Sequence, residues 1–266
     1  MRWKRIHYQD KETIVTLMCD PRFAGAGEHA LRAARSELEA YIAEDPYFTG
    51  TYAPRNPKAG APEIVRRMCS ASRRAGVGPM ASVAGAFAAE AVRAMIRSGA
   101  KEAVADNGGD IALRIRKPVL IGLYAGSSPV RDLAFRVEPR PSVFGICTSS
   151  GTVGHSFSYG RADAAVVISE NIPLADAAAT ALCNRVRSEA DLESCFDFLD
   201  PIREIEGALV CFQGRMALWG DLPRLVRAPV DASLITRGRP DGTSMPSHAP
   251  KSEDPVDTGV RYVQDV

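Results

Sequence analysis

Several short stretches of this sequence carry side chains suited to chemistry. Asn107-Gly108-Gly109-Asp110 sets paired glycines between two apolar, β-prone runs. Glycine reaches positive φ without strain, so backbone N–H groups there can turn toward an anion as in a phosphate-binding nest. The plainer reading of the same residues is a hairpin turn, the commonest use of Asn-Gly. Asp176 and Thr180 are four apart, so on a helix they share a face and present a carboxylate and a hydroxyl to one point. Hard oxygens of this kind suit Mg²⁺, whose shell water and substrate phosphate complete. The alternative is an aspartate capping the helix start and a threonine packed on a sheet. His155, between Gly154 and Ser156 in a polar loop, is reachable by solvent and ligand and is a candidate general acid or base. Without an identified carboxylate partner it reads more plainly as polar surface. Cys147 is a candidate nucleophile, but no adjacent base or cation lowers its pKa, which favours a buried strand thiol.

The elements that must hold these residues follow from periodicity. Thr13 to Asp20 is β-branched and apolar and stops at Asp20-Pro21, as a strand ending in a turn does. From Glu28 to Glu44 apolar residues recur at helical spacing, and Asp45-Pro46 closes that helix. A Pro- and Gly-rich loop follows. Glu63 to Arg74 and the alanine-rich Met80 to Ser98 are expected helices, with Gly99 the stop of the second. Strands are then expected over Ala103–Asp106, Ile111–Arg116, Val119–Tyr124, Leu133–Val137, Val143–Thr148 and Ala164–Glu170. A helix over Leu174–Arg187 comes next, and then a hairpin from Ala208 to Trp219 reversing at Gln213-Gly214. Early helices, a run of strands, then helix and hairpin predict an α+β fold with antiparallel sheet flanked by helices. The alanine-rich helices before and after the central strands faintly suggest two related halves. Residues 1–236 are expected to form one domain, and 237–266, rich in Pro, Gly, Ser and charge, a disordered tail.

Composition excludes several functions. The 266 residues are 45% hydrophobic and 24% charged, and 33 basic against 32 acidic side chains leave a net charge of +1, so no nucleic-acid footprint exists. No apolar run approaches the roughly 18 residues of a membrane span, and Gln9, Asp10, Lys11 and Glu12 interrupt the stretch a secretory signal would need. A cytoplasmic protein with scattered reduced thiols is expected; its cysteines show no CxxC pair.

Taken together, these segments resemble the ApbE superfamily, the FAD:protein FMN transferases, and within it a short, cytoplasmic, uncharacterised group. Val83 to Glu90 (VAGAFAAE) is similar to that superfamily's IAKGYAVD helix, Asn107 to Asp110 to its NAGGD turn, Thr148-Ser149 to its TSG segment, and Ala175 to Thr180 to its ADALAT helix. The closer match to the short group runs through GPMASVAG and TSSGTVGHSFSYGRAD. The resemblance implies the T-fold-like ApbE architecture. It also implies a Mg²⁺ site from the Ala84 carbonyl and the Asp176 and Thr180 side chains, and FAD, FMN or another nucleotide against Asn107, Gly108, Gly109, Asp110, Thr148, Ser149 and Ser150. Asp176 and His155 would then be the catalytic candidates. Gly85 stands where the transferases have lysine, and GHSFSYG replaces their HxxDPxTG segment.

Three readings compete. In the first the protein is an enzyme of Mg²⁺-assisted transfer or hydrolysis at a nucleotide phosphate; in the second it is a module that holds a flavin or nucleotide without turnover. The third is a sulfur-assimilation factor acting through Cys147. The expected partner is a small nucleotide or flavin, not nucleic acid or membrane, with self-association left open.

Overall fold

The computed structural model describes residues 3–125, 132–151, 160–229 and 236; His155 and the tail expected over 237–266 lie outside them. The chain opens with a hairpin of β1 (Lys4–Asp10) and β2 (Thr13–Cys19). Sequence periodicity finds β2 but misses β1, an edge strand in which only Tyr8 is buried. Asp20-Pro21 starts a helix where the sequence suggests only a turn. The Asp20 carboxylate accepts from the Arg22 amide, Pro21 takes a first-turn position that needs no N–H donor, and α1 (Pro21–Glu44) begins ahead of the expected Glu28. Next come α2 (Tyr47–Gly50), α3 (Glu63–Ala75), a 3₁₀ turn over Pro79–Ser82 and α4 (Val83–Arg97).

The strands that follow are β3 (Ala103–Asn107), β4 (Asp110–Arg114), β5 (Val119–Leu123), β6 (Leu133–Val137), β7 (Phe144–Ser149) and β8 (Ala164–Ser169). After α5 (Ile172–Arg185), β9 (Ile205–Phe212), β10 (Arg215–Gly220) and β11 (Arg224–Arg227) complete the described chain. These strands do not form one meander. An eight-stranded sheet runs β1-β2-β3-β4-β7-β8-β9-β10, while β5 and β6 leave it to pair with β11 in a separate sheet of three, and every pairing is antiparallel. The large sheet repeats one plan: hairpin, helices, hairpin (β1-β2, α1 to α4, β3-β4), then hairpin, helix, hairpin (β7-β8, α5, β9-β10). The faint repeat in the sequence is therefore a repeat of topology.

Both faces of the large sheet are covered, which is why its central strands carry apolar residues on both sides. Cys147, Ala165, Val167, Ala208 and Val210 face the helices. Phe144, Ile146, Val166, Ile168 and Leu209 alternate with them and meet Val119, Leu123 and Phe135 of the small sheet. In the helical layer Ala88, Ala89 and Ala91 of α4 and Ala175, Ala178 and Ala181 of α5 are buried, and these short side chains let the two helices approach closely. Gly145 serves the same end, because a Cβ there would lie 2.8 Å from Ile172 Cγ1 at the start of α5. Among the described residues no single helix is long and apolar enough to cross a membrane.

Candidate functional site

The first turn of α4, the fifth position of α5 and the ends of β4 and β7 converge on the helical face of the large sheet. Ser82, which precedes α4, turns its hydroxyl to the Pro79 carbonyl at 2.8 Å and leaves the helix without a side-chain cap of its own. Asp176 of α5 supplies that cap. Its Oδ2 accepts from the Gly85 amide at 2.7 Å, and the Ala84 amide adds a second bond, satisfying N–H groups that the helix cannot. Asp176 thus caps a neighbouring helix, not the start of its own. The approach requires glycine at 85, where a Cβ would stand 2.8 Å from Asp176 Cβ and 3.0 Å from the Ile172 carbonyl oxygen. That contact accounts for Gly85 in this helix, where the resembling motif has lysine.

Asp110 enters from the sheet. Ile111 pairs with Ile146, so one step along the register Asp110 lies across from Cys147, and both face the helices. The Asp110 carboxyl meets the Cys147 thiol, the Thr148 amide and the Asp176 carboxyl. Burial, with the charge of Asp106 added, pushes Asp110 up to about 7. Burial and the charge of Asp110 push Asp176 well above the ordinary carboxylate range. Two buried carboxyls in contact do not both ionise unaided; they share a proton or hold a cation. The Cys147 Sγ sits 3.7 Å from the Ile172 carbonyl oxygen, and burial together with both carboxyls drives its pKa well above that of a free thiol. Such a thiol is a hydrogen-bond donor and a poor nucleophile.

Two observations bear on the Mg²⁺ that the resemblance implies. The Asp110 Oδ1 atom is buried without a hydrogen-bond partner, and no cluster of three His, Cys, Asp or Glu residues suited to a metal occurs among the described residues. Beside the Cys147 thiol, the site offers oxygen donors in two carboxyls and the Ala84 carbonyl, with the half-buried Thr180 one turn beyond Asp176 on α5. Such a set fits Mg²⁺, with water or phosphate filling the remaining positions, better than it fits zinc. Asn107 Nδ2 donates to the Ala84 carbonyl at 3.1 Å, tying the glycine turn to the start of α4.

The turn itself is a tight hairpin. Asn107 pairs with Asp110, and Gly108 and Gly109 take φ of 70° and 107°. The Gly109 amide is committed to Asp106 Oδ1 at 2.9 Å, so it faces its own strand, leaving exposed Gly108 at the tip. Thr148 approaches Gly109, with its Cβ 3.8 Å from where a Cβ there would stand. Ser149 is buried in β7 opposite Ala165, while Ser150 is partly exposed just beyond the strand. The structure therefore brings Ala84, Asn107, Gly109, Asp110, Thr148 and Asp176 to one place. Sequence reading missed Asp106, whose only signal was its offset of three residues from Gly109.

The family model described as AbpE bacteria matches residues 1–195. The UPF0280 protein of Methanocella arvoryzae is 50% identical over 235 residues, 88% of this chain and 96% of its own length. The chain belongs to the ApbE-like UPF0280 family. A second UPF0280 protein, from Methanosarcina barkeri, is 48% identical over 233 residues, 87% of this chain and 92% of its own. Among solved structures, the flavinyl transferase ApbE of Pseudomonas stutzeri aligns with a TM-score of 0.53 at 12% identity, covering 84% of this chain and 95% of that one. The flavin transferase ApbE of Vibrio cholerae aligns with a TM-score of 0.50 at 11% identity over 82% and 97%. At such identities the UPF0280 chain shares with the transferases their α+β fold.

Proposed function

We propose that this UPF0280 protein holds Mg²⁺ between Asp110 and Asp176 and acts at the phosphate of a nucleotide, with FAD and FMN the first candidates, by transfer or hydrolysis. The unpartnered, buried Asp110 Oδ1 beside a second carboxyl carries this reading. A cation there would neutralise charge on a phosphate oxygen as its P–O bond breaks. The protein's own part is placement. Asp176 is fixed by two amides of α4, Asn107 holds the Ala84 carbonyl, and Thr148 closes over the turn. Thr180, Ser149 and Ser150 remain candidate ligand contacts, and His155 remains the proton-donor candidate.

Gly85 favours a second reading, in which the site holds a nucleotide without turning it over. Asp176 occupies the space a side chain at 85 would need, so that position presents no cation to a substrate. A sulfur-handling role through Cys147 would require a thiolate, which burial beside two carboxyls opposes.

Thermal unfolding with Mg²⁺ and FAD, FMN or ATP, combined with an assay for FMN and AMP release, separates these readings. A ligand at 100 times its Kd stabilises by about 2.7 kcal/mol. The wild type should show Mg²⁺-dependent stabilisation by nucleotide, and Asp176→Asn, which keeps the shape of the cap but loses the charge, should not. Stabilisation with turnover supports the enzyme, stabilisation without turnover the binding module. Failure of the wild type to respond to Mg²⁺ with any of these nucleotides sinks both.

A further inference from the structure

Asp106 lies on the opposite face of β3 from the carboxyl pair, beside Thr16, its partner across β2 and β3. A residue 130 positions away completes its surroundings. Thr236 is buried, with its Oγ1 2.8 Å from Thr16 Oγ1 and 2.6 Å from Asp106 Oδ2. One hydroxyl has one proton to give, so the pattern satisfied at all atoms is Thr16 donating to Thr236 and Thr236 donating to the carboxylate. The Thr236 amide also bonds Asp106, and Arg5 adds a favourable charge; both offset the burial that raises the Asp106 pKa. The other oxygen, Asp106 Oδ1, fixes the Gly109 amide at 2.9 Å.

We propose that Thr236 is a positioning residue for the carboxyl site: it clamps Asp106, which locks the Gly108-Gly109 turn and so sets Asp110. The clamp stands on geometry alone, while its effect on ligand rests on the Mg²⁺ and nucleotide reading above. Loss of the hydroxyl leaves Asp106 with one hydrogen bond fewer, which weakens its hold on the Gly109 amide.

Amide hydrogen exchange at Gly109, read by NMR on glycine-labelled full-length chain, tests the clamp. Thr236→Val, which keeps the volume, should speed exchange of that amide roughly 10-fold, whereas Thr236→Ser should stay near the wild-type rate. Affinity for FAD with Mg²⁺, measured by calorimetry on the same proteins, should weaken several-fold in Thr236→Val and recover in Thr236→Ser. Native exchange in the valine variant overturns the clamp. Faster exchange with unchanged affinity overturns the positioning role. Asp176→Asn run alongside distinguishes the two levels: if wild type and Asp176→Asn bind alike, the Mg²⁺ reading fails and the positioning role with it, while Gly109 exchange still decides the clamp.

Discussion

Asp176 Oδ2 accepts the Gly85 amide at 2.7 Å, so a carboxylate on α5 caps α4. At a helix N-terminus the dipole favours a carboxylate in its ionised form. This one is buried against a second carboxyl whose other oxygen has no partner. The helix end fixes the position of Asp176 and the sheet brings Asp110 to it.

Gly85→Ala tests the closeness of that approach. In an unconstrained helix interior alanine would stabilise by about 1 kcal/mol. Here the added methyl meets Asp176 Cβ at 2.8 Å and a backbone oxygen at 3.0 Å, and overpacking of this kind costs about 1–3 kcal/mol. The variant is expected to be less stable than wild type by urea unfolding and to lose its Mg²⁺ response. A stabilised variant with native Mg²⁺ affinity would show that the contact is slack.

Gly145 and Ile172 set how α5 sits on the sheet. Gly145→Ala places a methyl 2.8 Å from Ile172 Cγ1 and should destabilise by roughly 1–3 kcal/mol. Ile172→Ala, which removes both Cγ atoms that the methyl would meet, costs about 2–5 kcal/mol alone. Combined, the two should cost less than the sum of the singles, because residues in contact couple. Additivity in denaturant unfolding would mean that the helix moves aside at little cost.

Much of this was legible in the sequence because its signals are local. The Thr13 strand, the Glu63 helix, the alanine-rich helices and the Gln213-Gly214 hairpin each declare themselves within a short window, and all occur in the structure. The polar edge strand β1 carries no local signal, and neither does the departure of β5 and β6 into a second sheet; only pairing partners distant in sequence decide them. At the site, the Asn-Gly-Gly-Asp turn and the Asp176 spacing were readable, and their convergence was inferred by resemblance. The hydrogen bond from Gly109 to Asp106 was not readable, because it depends on side-chain direction at the end of a strand.

All six cysteines are buried, and burial raises Cys19 and Cys195 to about 11 and Cys211 to about 12. Burial, with its two carboxyl neighbours, also raises Cys147 well above a free thiol. At about pH 8 the native chain should therefore leave a disulfide reagent such as DTNB unreacted over minutes, while all six thiols react in denaturing guanidinium. Rapid labelling of Cys147 in the native protein, mapped by mass spectrometry, would restore the thiol as a working group.

The carboxyl pair predicts how stability depends on pH. Asp110 is held near 7 in the folded chain against about 3.9 unfolded, and Asp176 is displaced in the same direction. Between those values the folded state keeps a proton that the unfolded state has released. The stability that this proton contributes is complete below about pH 4 and lost as pH rises through about 7. Asp110→Asn removes one carboxyl and the charge that raises its neighbour, so in the presence of EDTA the variant should gain on wild type as pH rises across this range. If Mg²⁺ occupies the pair as proposed, it should reverse the order, because a cation binds the ionised form and its stabilisation of wild type would grow with pH. Urea unfolding at several pH values, with and without Mg²⁺, reads both effects; a difference between the two proteins that stays flat from about pH 4 to 8 would mean that the carboxyls titrate as solvent-exposed groups.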